Sequence, residues 1–302
     1  MSIKYLTPLK PHLVYKPWGG TRLGKLKGLT EKAAQDLGET WEISRLEEGL
    51  SFDEDQVPLS RFSAQELPYL VKFIDTTKPL SVQVHPHDKY AERNENCLGK
   101  TECWLILEAD VGAGIYLGFN ENVTEEDFFA DVESGADLTK YLQFHPVKRG
   151  DFFYVPAGTI HALGAGITLA EIQQSSGVTY RVWDWNRVDE NGKSRELHIE
   201  QAKAVLNFSP AGNDPSVFRM TNIFESNETD VLEHPQFKIS YYSGSCERRV
   251  GVEKRISSVI SLSDLLALDC EGTESNLKPY ECCIVRNGSE LRVTGGKFLV
   301  VE

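Results

Sequence analysis

Residues 150–187 read GDFFYVPAGTIHALGAGITLAEIQQSSGVTYRVWDWNR, and they contain the pattern Gly150-x5-Pro156-x-Gly158-x2-His161. Phe152, Phe153, Tyr154 and Val155 are an aromatic and β-branched run of strand composition. Pro156 presets φ and Gly158 accepts a positive φ, so the chain reverses within a few residues. A second strand then begins at His161, with its imidazole facing whatever the two strands enclose. Taken alone, the stretch also fits a β-hairpin with a satisfied core histidine.

Upstream, PLSVQVHP (79–86) alternates Leu80, Val82 and Val84 against Ser81, Gln83 and His85. A period of two places the three polar residues on one strand face, which is either solvated or lines a site. The next strand, KTECWLIL (100–107), puts Lys100, Glu102 and Trp104 on one face. A carboxylate inside an apolar strand is costly unless it is paired or holds a cation. Downstream, TYRVW (179–183) puts Arg181 on the face of Thr179 and Trp183. An arginine there pairs with a carboxylate or faces a cavity and binds an oxyanion or phosphate.

Gln83, His85, Glu102 and His161 thus each fall on an expected strand or strand end. Imidazole nitrogens and carboxylate oxygens suit Zn²⁺, Fe²⁺, Mn²⁺ or Co²⁺. Two histidines, a carboxylate and an amide leave a position for water or substrate, as in a catalytic site. His87 follows Pro86 and opens a short polar helix (88–96), so it stays outside the set. His12, His145, His198 and His234 lack partners at useful spacing. Of these, His145 is the one expected nearest the site, and His198 reads as a surface or capping residue starting a helix over 194–208.

The chain has 302 residues and a net charge of −13, from 45 acidic and 32 basic residues. That balance argues against general nucleic-acid or anionic-membrane binding but leaves room for a small anionic substrate. The start, MSIKYLTPLKPHLVYKPWGG, has no apolar core of a secretion signal. No run approaches the ~18 apolar residues of a membrane span. Six cysteines without a CxxC pair read as reduced thiols, consistent with the cytoplasm.

Many short strands between Gly/Pro turns predict a mainly β barrel or sandwich, with helices over 88–96 and 124–142 as insertions. Ser209–Ser216 (SPAGNDPS) reads as a linker. It divides a catalytic, metal-binding domain (1–208) from a smaller C-terminal β domain (209–302). Strands are expected in the latter at 237–242, 259–262, 282–286, 291–294 and 298–301.

Four segments, SVQVHPHDKYAERNE, GKTECWLIL, GDFFYVPAGTIHALGAG and EIQQSSGVTYRVWDWNR, resemble the class I (type I) phosphomannose isomerases, or mannose-6-phosphate isomerases. The run from Gly150 to His161 is similar to the second motif of cupins. WGG at 18–20 and GETWEIS at 38–44 fit the same family, and the resemblance covers roughly residues 5–208. At this length the chain resembles the short bacterial form. The resemblance implies a cupin-type β-barrel or jelly roll, that is, a double-stranded β-helix, with inserted helices. It implies one Zn²⁺ held by Gln83, His85, Glu102 and His161, with Gln83 outside the set in some short-form members. It implies Arg181 as the active-site arginine, and Ser81 and Lys100 as phosphate or substrate contacts. The implied reaction interconverts mannose 6-phosphate and fructose 6-phosphate through an enediol, in a monomer or homodimer whose partner is the sugar phosphate. The rival readings are another metal-dependent cupin enzyme acting on sugars, an epimerase or dioxygenase, and a non-catalytic sugar-phosphate-binding cupin. The presence of the ligand set, Arg181 and Lys100 together weighs against the last.

Overall fold

The computed structural model describes residues 4–219, 221–251 and 255–302. Among these, contacts divide the chain into two compact groups: residues 76–169 with 176–221, and residues 4–75 with 170–175 and 222–302.

The first group is built on a five-stranded sheet in the order Tyr180–Trp183, Val82–Val84, His161–Leu163, Gly114–Phe119, Leu142–Pro146. All its pairings are antiparallel. Arg181 lies opposite Gln83, and Gln83 opposite His161. Directly opposed residues of an antiparallel pair share a face, so these three form one row across three strands. The residues between them in sequence point the other way. Val82, Val84, Ala162, Tyr180 and Val182 are buried in a cluster with Phe119, Phe128 and Phe129. Two helices complete that cluster. Glu125–Ser134 starts at Thr124, whose side chain accepts from the Asp127 N–H, and ends at Gly135 with φ of +71°. Ile199–Val205 adds Ala202 and Val205. The helices thus cover one face of the sheet, and the polar row occupies the other.

The motif from Gly150 to His161 folds as strand, turn and strand, but not as a hairpin: its two strands, Asp151–Val155 and His161–Leu163, join different sheets. Asp151–Val155 pairs antiparallel with Glu102–Ala109, with Val155 opposite Glu102. Gly158 has φ of +85°, and a Cβ there would sit 3.0 Å from the Val205 carbonyl oxygen. Its N–H donates to the His85 carbonyl (2.8 Å) and its own carbonyl accepts from the Asn207 N–H (2.9 Å). The turn is therefore fastened on both sides.

The second group contains a seven-stranded sheet in the order Glu228–His234, Phe237–Ser243, Lys297–Val301, Ser257–Ser261, Cys282–Val285, Leu6–Lys10, Phe52–Asp53. A four-stranded sheet runs Cys246–Arg249, Glu290–Thr294, Leu266–Cys270, Thr273–Leu277. Leu6, Val259, Leu268, Val285, Val293 and Phe298 are among the residues buried in their shared apolar cluster.

The contacts divide the chain elsewhere than after residue 208. Leu6 pairs with Val285 and Thr7 with Ile284, so the first strand completes a sheet made mostly by the last eighty residues. The segment expected as a linker instead forms two short 3-10 turns, Pro210–Asn213 and Pro215–Phe218, each with Pro in its first turn. The helix expected over 194–208 is confined to Ile199–Val205. Residues 195–198 are engaged elsewhere: the Glu196 carbonyl, the His198 backbone and ring, and the Arg195 guanidinium all bond to residues 181–184. Among the described residues, no helix is long and apolar enough to cross a membrane. All six cysteines carry thiols rather than disulfides, and burial pushes Cys283 up to about 12.

Candidate metal centre

His85, Glu102 and His161 come together with their ligand atoms within 4.8 Å of one another. Glu102 is 0% exposed and each histidine 1%. His85 Nε2 lies 3.4 Å from Glu102 Oε2, and His161 Nε2 lies 3.4 Å from Glu102 Oε1. The other ring nitrogens point away and are fixed. His85 Nδ1 donates to the Val178 carbonyl, and His161 Nδ1 donates to the Thr159 carbonyl, each at 2.9 Å. A carbonyl only accepts, so each ring carries its proton on Nδ1 and turns the bare Nε2 lone pair inward. This is how proteins orient imidazoles that bind metal.

The centre is left short of hydrogen bonds. His85 Nε2 and both Glu102 oxygens are buried and take part in no well-directed hydrogen bond. Buried polar atoms without partners are rare and costly. Lys100 Nζ approaches Glu102 Oε2 at 3.0 Å as an ion pair, without the angle of a good hydrogen bond. Burial drives both imidazoles toward the neutral form, taking His85 down to about 3 and His161 below its ordinary value. Burial also pushes the Glu102 carboxyl up, but its charged neighbour Lys100 outweighs that and holds it well below the usual range. The result is an ionised carboxylate between two neutral imidazoles, the protonation state a divalent cation requires. Three inward lone-pair donors without mutual partners fit such an ion.

The remaining residues expected at the site take different places. Gln83 Nε2 lies 3.2 Å from His161 Nε2. A half turn of the amide puts its oxygen there instead, the assignment being one of hydrogen-bond logic. Ser81 is buried one residue ahead of the Val82–Val84 strand. Lys100 is buried, and its backbone N–H donates to the Pro86 carbonyl. The Trp104 ring stands edge-on to His161, with centroids 5.5 Å apart, on the strand face of Glu102. Arg181 donates from Nη1 to the Glu196 carbonyl (2.7 Å), while its buried Nε has no hydrogen-bond partner. Burial, then the nearby Arg195, lowers the guanidinium below its ordinary value.

The other histidines have separate duties. His87 caps the Asp88–Asn94 helix by accepting from the Tyr90 N–H. His145 lies on the Leu142–Pro146 strand and donates from Nε2 to the Leu117 carbonyl. His198 bonds to the backbone of Arg181, a contact that sequence spacing alone does not show. The carbonyls of Thr159 and Val178 were equally illegible, because any residue supplies a carbonyl.

A buried pair of imidazoles and one carboxylate on a mainly β, cupin-type scaffold defines a mononuclear metalloenzyme class. No family model matches the chain. It is 38% identical over 272 residues to a mannose-6-phosphate isomerase of Streptococcus mutans, covering 84% of each chain. It is 35% identical over 250 residues to the mannose-6-phosphate isomerase ManA of Bacillus subtilis, covering 78% of this chain and 76% of that one. Its fold superposes on a crystal structure of the mannose 6-phosphate isomerase from Bacillus subtilis with a TM-score of 0.82, at 28% identity and 99% coverage of both chains. The chain belongs to the mannose-6-phosphate isomerase family.

Proposed function

We propose that this protein is a zinc-dependent mannose-6-phosphate isomerase that interconverts mannose 6-phosphate and fructose 6-phosphate. The observation that carries the reading is the His85–Glu102–His161 set, with its inward Nε2 atoms and its under-bonded carboxylate. Its relatives bear the name of that reaction. His85, Glu102 and His161 hold the ion, and Gln83 supplies a fourth donor when its amide oxygen faces inward. Nitrogen and carboxylate donors at a tight, buried site suit Zn²⁺.

Aldose–ketose isomerisation moves a proton between C2 and C1 of the sugar through an enediol, with negative charge building on the adjacent oxygen. Bound Zn²⁺ supplies Lewis-acid stabilisation of that charge. The protein's own residues supply position and further charge. Arg181 shares the row of Gln83 and His161, and its unpartnered Nε is a donor for a substrate oxygen. Lys100 places its ammonium 3.0 Å from Glu102, bringing positive charge to the site for the substrate or its phosphate. Ser81 offers a hydroxyl on the same strand side as Gln83. The three residues of the centre are buried, and burial strengthens each of these interactions.

The test is turnover of mannose 6-phosphate to fructose 6-phosphate by the purified protein as isolated, after chelation, and after return of Zn²⁺. Activity lost with the chelator and regained with Zn²⁺ is the expected result. A folded, zinc-loaded protein with no turnover would refute the reading and favour another cupin chemistry on sugars.

A further inference from the structure

The Tyr180–Trp183 strand is at the edge of its sheet, so among the described residues one side of it has no strand partner. Arg181 turns both its backbone groups toward that open side. Its carbonyl accepts from the His198 N–H at 2.8 Å. Its own N–H donates to His198 Nδ1 at 3.1 Å. One residue thus provides the donor and the acceptor that a neighbouring strand would otherwise provide, the acceptor coming from the imidazole. A third bond joins the same segments, from Arg181 Nη1 to the Glu196 carbonyl. His198 precedes the Ile199–Val205 helix, yet its side chain makes no capping bond to that helix. The ring is committed to Arg181 instead.

We infer that His198 is a positioning residue for Arg181, fixing the edge-strand backbone from which the guanidinium reaches the substrate. The inference rests on the role given to Arg181 above. The helix that follows His198 carries the argument one step further. Just beyond the helix, the Asn207 N–H holds the Gly158 carbonyl, and the Gly158 N–H holds the His85 carbonyl. One short helix therefore has the arginine strand fastened at its start and the turn behind a metal ligand fastened just past its end. Positioning matters because a displacement of about 1 Å at a reacting centre costs up to ~100-fold in rate.

Three substitutions separate positioning from simple helix capping. Asn carries Oδ1 at the same number of bonds from Cα as His Nδ1, so His198→Asn keeps an acceptor within reach of the Arg181 N–H. His198→Ser caps helices well but is one bond too short. His198→Ala has neither property. Each is measured for kcat, KM, zinc content and hydrogen exchange at the Arg181 amide. In His198→Ala and His198→Ser we expect kcat to fall about tenfold, within that limit, with KM and zinc content little changed. The Arg181 amide should exchange faster in both, and His198→Asn should restore rate and protection. In an Arg181→Ala background, His198→Ala should cost nothing further, since contacting residues acting as a unit are not additive. Restoration by Ser as fully as by Asn, an undiminished kcat in His198→Ala, or an equal loss without Arg181 would each overturn the inference. Absence of turnover in the wild-type protein would defeat the isomerase reading instead, and amide exchange alone would then decide whether the clamp exists.

Discussion

Two buried carboxylates, one in each group of the fold, are neutralised in different ways. Asp53 is 4% exposed and Glu102 is 0% exposed. Burial pushes both up, and in both cases local partners outweigh burial and hold the group below the usual carboxylate range. The partners differ in kind. Asp53 Oδ1 accepts from the N–H groups of Asp55 (2.9 Å) and Val57 (2.8 Å), and Oδ2 accepts from Arg61 Nη1 (2.7 Å). Every bond is directed, so the site is closed. Glu102 has strong charge around it and no well-directed hydrogen bond. Ionisation of a buried acid is thus common to a structural device and a binding centre. What separates them is whether the protein itself completes the oxygen's hydrogen bonds.

The comparison breaks most sharply at the open centre. His161→Ala removes a donor that lies against Glu102, and we expect loss of the metal and of turnover together. The fall should exceed the ~10–100-fold that removal of an orienting partner costs. Zinc content by atomic absorption, beside kcat, checks it. Metal retained at full stoichiometry with activity gone would show that His161 acts on the substrate rather than the ion.

A smaller effect is expected at Gln83. Its amide lies 3.2 Å from His161 Nε2, and only a half turn makes its oxygen a ligand. Gln83→Ala should weaken zinc binding about tenfold, at the lower end of the range for orienting partners. Competition with a chelator of known affinity measures it. Zinc affinity unchanged within error would restrict the ligands to the two histidines and Glu102.

These differences also explain what could be read in the chain before its structure. His161 is legible because a Pro-x-Gly turn forces the strand to begin there, and Gly158 indeed takes a positive φ. Glu102 is legible because a carboxylate among Cys103, Trp104 and Leu105 demands a reason, and alternation alone aligns Gln83 with His85. The helix over 194–208 overran by several residues because its early backbone is used by Arg181, a partner remote in sequence. The grouping of Leu6–Lys10 with Cys282–Val285 left no local trace either, since pairing register is a long-range property. Strands at Glu228–His234, Cys246–Arg249 and Thr273–Leu277 went unseen for a different reason. All three are sheet edges whose residues are mostly polar, so the apolar signal that marks a strand is thin.

The closed carboxylate sets the opposite limit, with the smallest effect on turnover. Asp53→Asn keeps the side chain's size but removes the charge that pairs with Arg61, so it should cost about 1–3 kcal/mol of stability. Turnover should stay within about twofold of wild type, because no hydrogen bond of Asp53 belongs to the metal centre. The acid limb gives the sign independently. A carboxyl held lower in the folded chain than in the unfolded one stabilises the fold at every pH above its unfolded value. That value is about 3.9, and the contribution is lost as pH falls through the lower folded one. The stability gap between wild type and Asp53→Asn should therefore be full at pH 7 and shrink only below about pH 4. Urea unfolding of both proteins at pH 7, 5 and 3 measures it. A gap that closed already between pH 7 and 5 would mean that Asp53 is not held low by its partners, and the two carboxylates would no longer be a matched pair.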